Sequence, residues 1–319
     1  AQQLFKWIYQ RRVEDFSMMT DLSKKVRFEL SQVMDLSMPQ IVSHLVSQDG
    51  TEKFLFDVGE GKTVESVLIP SSDRLTLCVS SEVGCNMACK FCFTGKKKMT
   101  RRLTCREIVS QLTRVSDLVS PERRITNVVF MGMGEPLDNV DAVFQAIDIW
   151  HNPNGYGLSK KKITVSTSGL VPQISQVSEK GVRLAVSLNA VTDSVRDHIM
   201  PINKKWPIKD LLQACRHHSQ VTKDKVTFEY VLLKGVTDSL EDARSLHKLL
   251  LNVPAKINII PFNEHPGSCF FRPSEKSIDN FQKELIRLGS HVLRRKTMGR
   301  DIYAACGQLT SAYNEHPKL

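Results

Sequence analysis

The sequence predicts an α/β protein built on an open, six-stranded parallel barrel, and three observations lead there. Six short apolar stretches between residues 75 and 262 alternate with stretches of helical spacing, the texture of parallel strands joined by right-handed crossovers. Six strands fall short of the eight that close a barrel of this kind. Small polar residues cluster at the predicted strand ends, where ligands collect in such sheets.

Taken in order, residues 1 to about 45 read as helices, because 3–11 and 22–36 carry apolar side chains at helical spacing. Strand-like passages at 53–58 and 64–69 follow, broken by Gly59-Glu60-Gly61. The core strands are expected at 75–81, 125–131, 162–168, 183–188, 226–233 and 257–262. Helices are expected between them at 105–118, 140–150, 171–180, 193–199, 208–218 and 240–251, the last opened by the capping run Thr237-Asp238-Ser239. A helix at 278–288 and a strand at 291–297 lead into a tail. The expected division is a small helical accessory region at 1–70, the core at 71–290 and a terminal strand and tail at 291–319. The chain opens at Ala1, without Met, directly on the amphipathic Leu4-Phe5-Lys6-Trp7-Ile8-Tyr9. The natural protein is therefore expected to start earlier.

Composition narrows the function. At 319 residues and 41% hydrophobic content the chain can bury a large core. It has no apolar run of about 18 residues, so no membrane span is expected, and no secretory leader. Eight cysteines in so long and Lys-rich a chain do not suit a disulfide scaffold, and their clustering points to a reducing cytoplasm. A formal charge of +10 favours a polyanionic partner. The charge gathers in three runs: Lys96, Lys97, Lys98, Arg101 and Arg102; Lys160, Lys161 and Lys162; and Arg294, Arg295 and Lys296. Each suits a phosphate backbone, or equally a solvated surface.

Cys85, Cys89 and Cys92 stand in the spacing C-x3-C-x2-C. Three thiolates on a 4Fe–4S cube leave one iron open to a group that is not protein. A structural zinc site takes a fourth close ligand, and the next cysteine, Cys105, is thirteen residues on. With Phe91 before the last cysteine, the motif resembles the radical SAM superfamily, where the open iron is chelated by S-adenosylmethionine. Phe130-Met131-Gly132-Met133-Gly134-Glu135-Pro136 ends the second core strand. Its glycines permit close backbone approach, and Glu135 suits the ammonium of S-adenosylmethionine.

The whole set resembles the radical SAM RNA-adenine methyltransferases, the RlmN/Cfr family. The matching stretches are CVSSEVGCNMACKFC, FMGMGEP, LSKKKITVSTSG, MPINKK, KINIIPFN and AACGQL, spread from about residue 62 to 309. The resemblance implies a radical SAM partial (β/α)6 barrel with an N-terminal helical domain and a C-terminal extension. It implies Cys85, Cys89 and Cys92 as ligands of a [4Fe–4S] cluster, and Gly134, Glu135, Ser166, Ser187, Leu188, Asn189 and Asn263 around S-adenosylmethionine, two per turnover. Cys306 would accept a methyl group, and a 5′-deoxyadenosyl radical would take a hydrogen from it. The resulting methylene radical would add to an adenine carbon. Cys78 would act as base and release the product through a transient Cys78–Cys306 disulfide, with Glu65 as a further proton acceptor. Cys105, Cys215 and Cys269 match no catalytic position. The implied partners are 23S rRNA and tRNA and a reducing donor such as flavodoxin, for a cytoplasmic monomer.

Pro136 and Ser166-Thr167-Ser168-Gly169 look like the branch that methylates adenine C2. The alternatives are the C8 branch, which confers antibiotic resistance, and a radical SAM enzyme acting on a small molecule. The chain departs from the family at Asn189, where His is usual.

Overall fold

A ten-stranded sheet, antiparallel at one edge and parallel for the rest, carries the molecule. The computed structural model describes residues 1–120 and 123–310. Helices α1 (Gln2–Tyr9) and α2 (Lys24–Val33) precede the sheet. Ser23 caps α2 by accepting the Val26 N–H at 3.3 Å. Trp7, Phe16, Met19 and Leu36 form a small core of their own beneath these helices.

Strands β1 (Gln40–Val46), β2 (Glu52–Asp57) and β3 (Thr63–Pro70) form an antiparallel meander, and β3 pairs antiparallel with β4 (Leu75–Cys78). Residues 40–46 are thus strand, where the helical reading ran on to about residue 45. The cause is local ambiguity: β1 alternates exposed and half-buried side chains with none buried, and Ile41, Val42 and Leu45 also fit one face of a helix. Pairing with β2 decides the outcome.

A separate two-stranded ribbon, β5 (Glu82–Val83) with β6 (Arg101–Arg102), closes the loop 84–100 that carries the clustered cysteines. Helix α3 (Cys105–Leu118) then starts on a capping box. Thr104 Oγ1 accepts the Glu107 N–H at 3.3 Å, and the Glu107 carboxylate accepts the Thr104 N–H at 2.8 Å. The remaining order is β7 (Asn127–Phe130), α4 (Val140–His151), β8 (Ile163–Thr167), α5 (Ile174–Lys180) and β9 (Arg183–Ser187). Next come α6 (Asp193–Ile199), α7 (Ile208–Thr222), β10 (Val226–Leu232), α8 (Leu240–Leu250), β11 (Ala255–Pro261), α9 (Glu275–Arg287) and β12 (Val292–Arg294).

The strand order β1-β2-β3-β4-β7-β8-β9-β10-β11-β12 lays each parallel strand beside its predecessor. With crossovers of one hand, such winding puts the connecting helices on one face and curls the sheet toward a barrel. The six expected core strands all lie in this parallel run, and β12 adds a short seventh. Ile108, Leu112 and Val115 of α3 and Val143, Ile147 and Trp150 of α4 are buried in the main core. Each such side chain contributes about 1.5–3 kcal/mol of apolar burial, which fixes the strand ends as a rigid rim. Of the expected tail, 311–319 lies outside the described residues. Among the described residues no helix is long and apolar enough to cross a membrane.

Candidate active site

At the carboxyl ends of the parallel strands a cavity opens, the place where ligands bind in such sheets. Cys85, Cys89 and Cys92 line it from the loop, Gly134 and Glu135 from beyond β7, and Ser166 and Ser168 from the end of β8. Ser187 ends β9 and Asn189 follows it, Asn263 follows β11, Arg295 follows β12, and Cys306 reaches in from the tail. One cavity therefore gathers ten of the thirteen residues singled out in the sequence. Leu188, Cys78 and Glu65 are the others.

The Gly-rich turn after β7 is shaped by contact. Gly134 has φ +95°, and a Cβ there would lie 2.5 Å from Glu82 Cβ. Glu82 is fully buried and its Oε2 accepts the Glu135 N–H at 2.8 Å. Burial pushes the Glu82 carboxyl up to about 8, with the Glu135 N–H opposing and Asp138 adding to the rise. The Glu135 carboxylate is itself fixed: Oε2 accepts the Ser168 N–H at 2.7 Å and its hydroxyl at 2.8 Å, and Oε1 accepts the Leu137 N–H at 3.1 Å.

Asn189 adopts φ +58°, a conformation Asn tolerates better than most residues. Its Oδ1 accepts the Val231 N–H at 2.9 Å and its Nδ2 lies 3.2 Å from Met200 Sδ. The amide thus ties the end of β9 to β10. Leu188 is fully buried in the core and does not line the cavity; its carbonyl accepts Arg196 Nε at 2.9 Å.

Sequence reasoning missed Arg196. Wholly buried, it donates to the carbonyls of Ser168 (2.6 Å), Ser187 (3.0 Å) and Leu188, and to Asn203 Oδ1 (2.9 Å). It staples the ends of β8 and β9 together. Burial lowers its pKa to about 10, so it stays charged at neutral pH. The one signal for it was the MPINKK stretch that contains Asn203.

The tail that presents Cys306 is held along its length. Asp301 accepts the Ser47 hydroxyl at 2.6 Å, and Asn263 Nδ2 donates to the Cys306 carbonyl at 3.2 Å. The Phe93 N–H donates to the Gly307 carbonyl at 2.7 Å, and the Thr94 hydroxyl to that of Leu309 at 2.7 Å. Glu65 belongs to this clamp rather than to the cavity wall. It pairs with buried Lys53 at 3.1 Å and accepts the Thr310 N–H at 2.8 Å. Cys78, the last residue of β4, is buried, and its thiol is pushed up to about 12 by burial and by nearby Cys306, with Arg295 opposing.

The donor set fits an iron–sulfur cluster. Burial pushes up the thiols of Cys85, Cys89 and Cys92, and for Cys85 the other two and Glu135 push further. Thiolates so placed need compensating positive charge, which iron ions supply. The wall also fits a nucleoside-bearing ligand. Asn263 Oδ1 and Glu229 Oε2 are buried without a hydrogen-bond donor, beside apolar Phe130, Met131, Val231, Ile260 and Phe262. Cys105, Cys215 and Cys269 stand away from the cavity lining.

Residues 79–247 match the Radical SAM superfamily, and residues 1–36 match the ribosomal RNA large subunit methyltransferase N-terminal domain. A crystal structure of a radical SAM methyltransferase from Sphaerobacter thermophilus superposes with a TM-score of 0.91 at 40% identity, covering 98% of this chain and 92% of that one. The dual-specificity RNA methyltransferase RlmN of Geotalea uraniireducens is 49% identical over 97% of this chain and 89% of its own length. That of Bdellovibrio bacteriovorus is 60% identical over 100% of this chain and 79% of its own length. Alike in sequence along its whole length and in fold, the chain belongs to the RlmN family of radical SAM methyltransferases.

Proposed function

We propose that this chain methylates C2 of an adenosine in 23S rRNA, and in tRNA beside the anticodon, with Cys306 as the methyl carrier. The observation that carries this is the meeting of Cys306 with the three clustered cysteines in one cavity, against buried Cys78. When bound, the [4Fe–4S] cluster and two molecules of S-adenosylmethionine supply the methyl group and the 5′-deoxyadenosyl radical. Cys85, Cys89 and Cys92 hold the first; Gly134, Glu135, Ser166, Ser187, Asn189 and Asn263 surround the second.

Cys306 Sγ loses its proton and takes the methyl group, and after that group has lost a hydrogen atom its carbon bonds the adenine ring. The adduct gives up one electron, and Cys78 takes the ring-carbon proton and passes it to solvent. The Cys78 thiolate then bonds Cys306 Sγ as the sulfur–carbon bond breaks, the released carbon takes a proton to complete the methyl group, and the reducing donor returns the disulfide to two thiols. Burial that lifts the Cys78 thiol to about 12 leaves little of it ionised, and the adjacent Arg295 guanidinium favours its thiolate. Glu65, through Lys53 and the Thr310 N–H, keeps the Cys306 segment docked. The thiols and the reductive chemistry suit a reducing cytoplasm and a flavodoxin-like electron donor, and the protein is taken to act as a monomer.

The test is anaerobic reaction of the reconstituted protein with S-adenosylmethionine, a reductant and rRNA or tRNA fragments, read by nucleoside mass spectrometry. 2-Methyladenosine is expected and identifies the RNA used. 8-Methyladenosine would move the chain to the other branch, and methylation that survives Cys306→Ala would end the carrier mechanism.

A further inference from the structure

Beside the catalytic cavity lies a second cleft, and Arg295 lines both. The second is walled by Arg272, Arg294, Arg295, Lys296, Thr297 and Arg300: five cations and a hydroxyl, with no carboxylate. Three of the arginines pair with acids outside the cleft lining. Arg272 lies 3.2 Å from Glu275, Arg294 lies 2.9 Å from Asp279, and Arg295 lies 3.7 Å from Glu229. Lys296 and Arg300 are exposed and have no ion-pair partner among the described residues. A concavity lined by one sign of charge focuses its field, and arginine forks match phosphate oxygens two at a time.

The cleft is also placed and held. Arg300 precedes Cys306 by six residues. The Gly299 N–H donates to Asp49 at 2.8 Å, and Asp301 is held by Ser47, so the cations sit on a fixed segment. The other basic runs differ. Lys160, Lys161 and Lys162 precede β8, at the end opposite the cavity, and Lys161 pairs with Asp224. Arg101 and Arg102 are paired with Glu107 and Asp138.

We infer that this cleft binds the phosphodiester backbone of the RNA strand next to the adenosine being methylated, and so sets which base enters the catalytic cavity. The inference rests on the RNA-methyltransferase reading above.

The test is the double variant Lys296→Ala/Arg300→Ala, bound to an RNA fragment that the wild type methylates, across a range of salt concentrations. Each lost phosphate contact reduces the slope of log affinity against log salt by about 1, so a drop of about 2 is expected. KM for RNA should rise roughly tenfold or more, while the single-turnover rate at saturating RNA and the cluster absorbance stay unchanged. Lys160→Ala/Lys162→Ala removes equal charge from the far end and should keep the wild-type slope. An unchanged slope and KM in Lys296→Ala/Arg300→Ala would overturn the cleft while leaving the methyltransferase reading intact. A wild type that methylates no RNA would overturn both.

Discussion

Arg295 acts on two thiols, Cys78 and Cys306, to which the proposal gives opposite duties, one to release carbon and one to carry it. Among the described residues Cys78 is the cysteine the sheet places against Cys306. Cys78→Ala is therefore expected to stall with RNA covalently held on Cys306. The adduct would show as an RNA-shifted band on a denaturing gel, absent from Cys78→Ala/Cys306→Ala, and normal turnover by Cys78→Ala would remove Cys78 from the mechanism. Glu82 offers a test in pH. Its folded pKa is raised from the ordinary carboxyl range to about 8, so its stabilising contribution is complete below about 4.5 and is lost as pH rises through about 8. Glu82→Gln removes that titration. Thermal melts of wild type and variant should run parallel below about pH 4.5, diverge as pH rises from there toward 8, and keep a constant gap above it, with the variant ahead by up to a few kcal/mol; the same loss in both would clear Glu82. At this scale the gathering of Cys85, Cys89 and Cys92 on one cavity was legible because C-x3-C-x2-C confines them to one loop. Arg196 was not, because an arginine on a helix reads as surface until its carbonyl partners are brought together.

Elements, rather than single side chains, give the cavity its shape. The cysteine loop hangs from the β5–β6 ribbon, the Gly-rich turn leans on Glu82, and the tail is stitched to β3 and to the loop. Gly134→Ala puts a methyl group 2.5 Å from Glu82 Cβ at φ +95°, a strain of about 1–3 kcal/mol. It should weaken S-adenosylmethionine binding roughly tenfold, since 1.4 kcal/mol is a factor of ten. Isothermal titration of the reconstituted protein reads this directly, and unchanged affinity would mean the turn has room to shift. The alternating strands and helices of the core were legible from period alone; α3 and α6 begin and end where expected. β1 was not legible, since half-exposed alternation carries no apolar stripe. Nor was the contact between Glu65 and Thr310, residues 245 positions apart, because spacing in sequence says nothing of such closure.

Across the whole molecule, a barrel of packed strands supports a rim that depends on added groups for its charge balance. Removing the iron would leave three clustered, half-buried thiols with no cation to share. Hydrogen exchange should then quicken in 84–100 and in the docked 305–310, while β8–β11 stay protected. Uniform loss would mean that the barrel itself needs the cluster. The tail's docking also has a consequence in the order of synthesis. Every strand and helix of the barrel is translated before Cys306, and the surfaces that receive it, Phe93, Thr94, Asn263 and Glu65, are all made earlier. A nascent chain can thus assemble its scaffold while still lacking Cys306. If that thiol carries the methyl group as proposed, competence arrives in one late step, when the last turn of backbone is laid across the finished mouth, and a chain that ends before residue 306 is expected to fold yet methylate nothing.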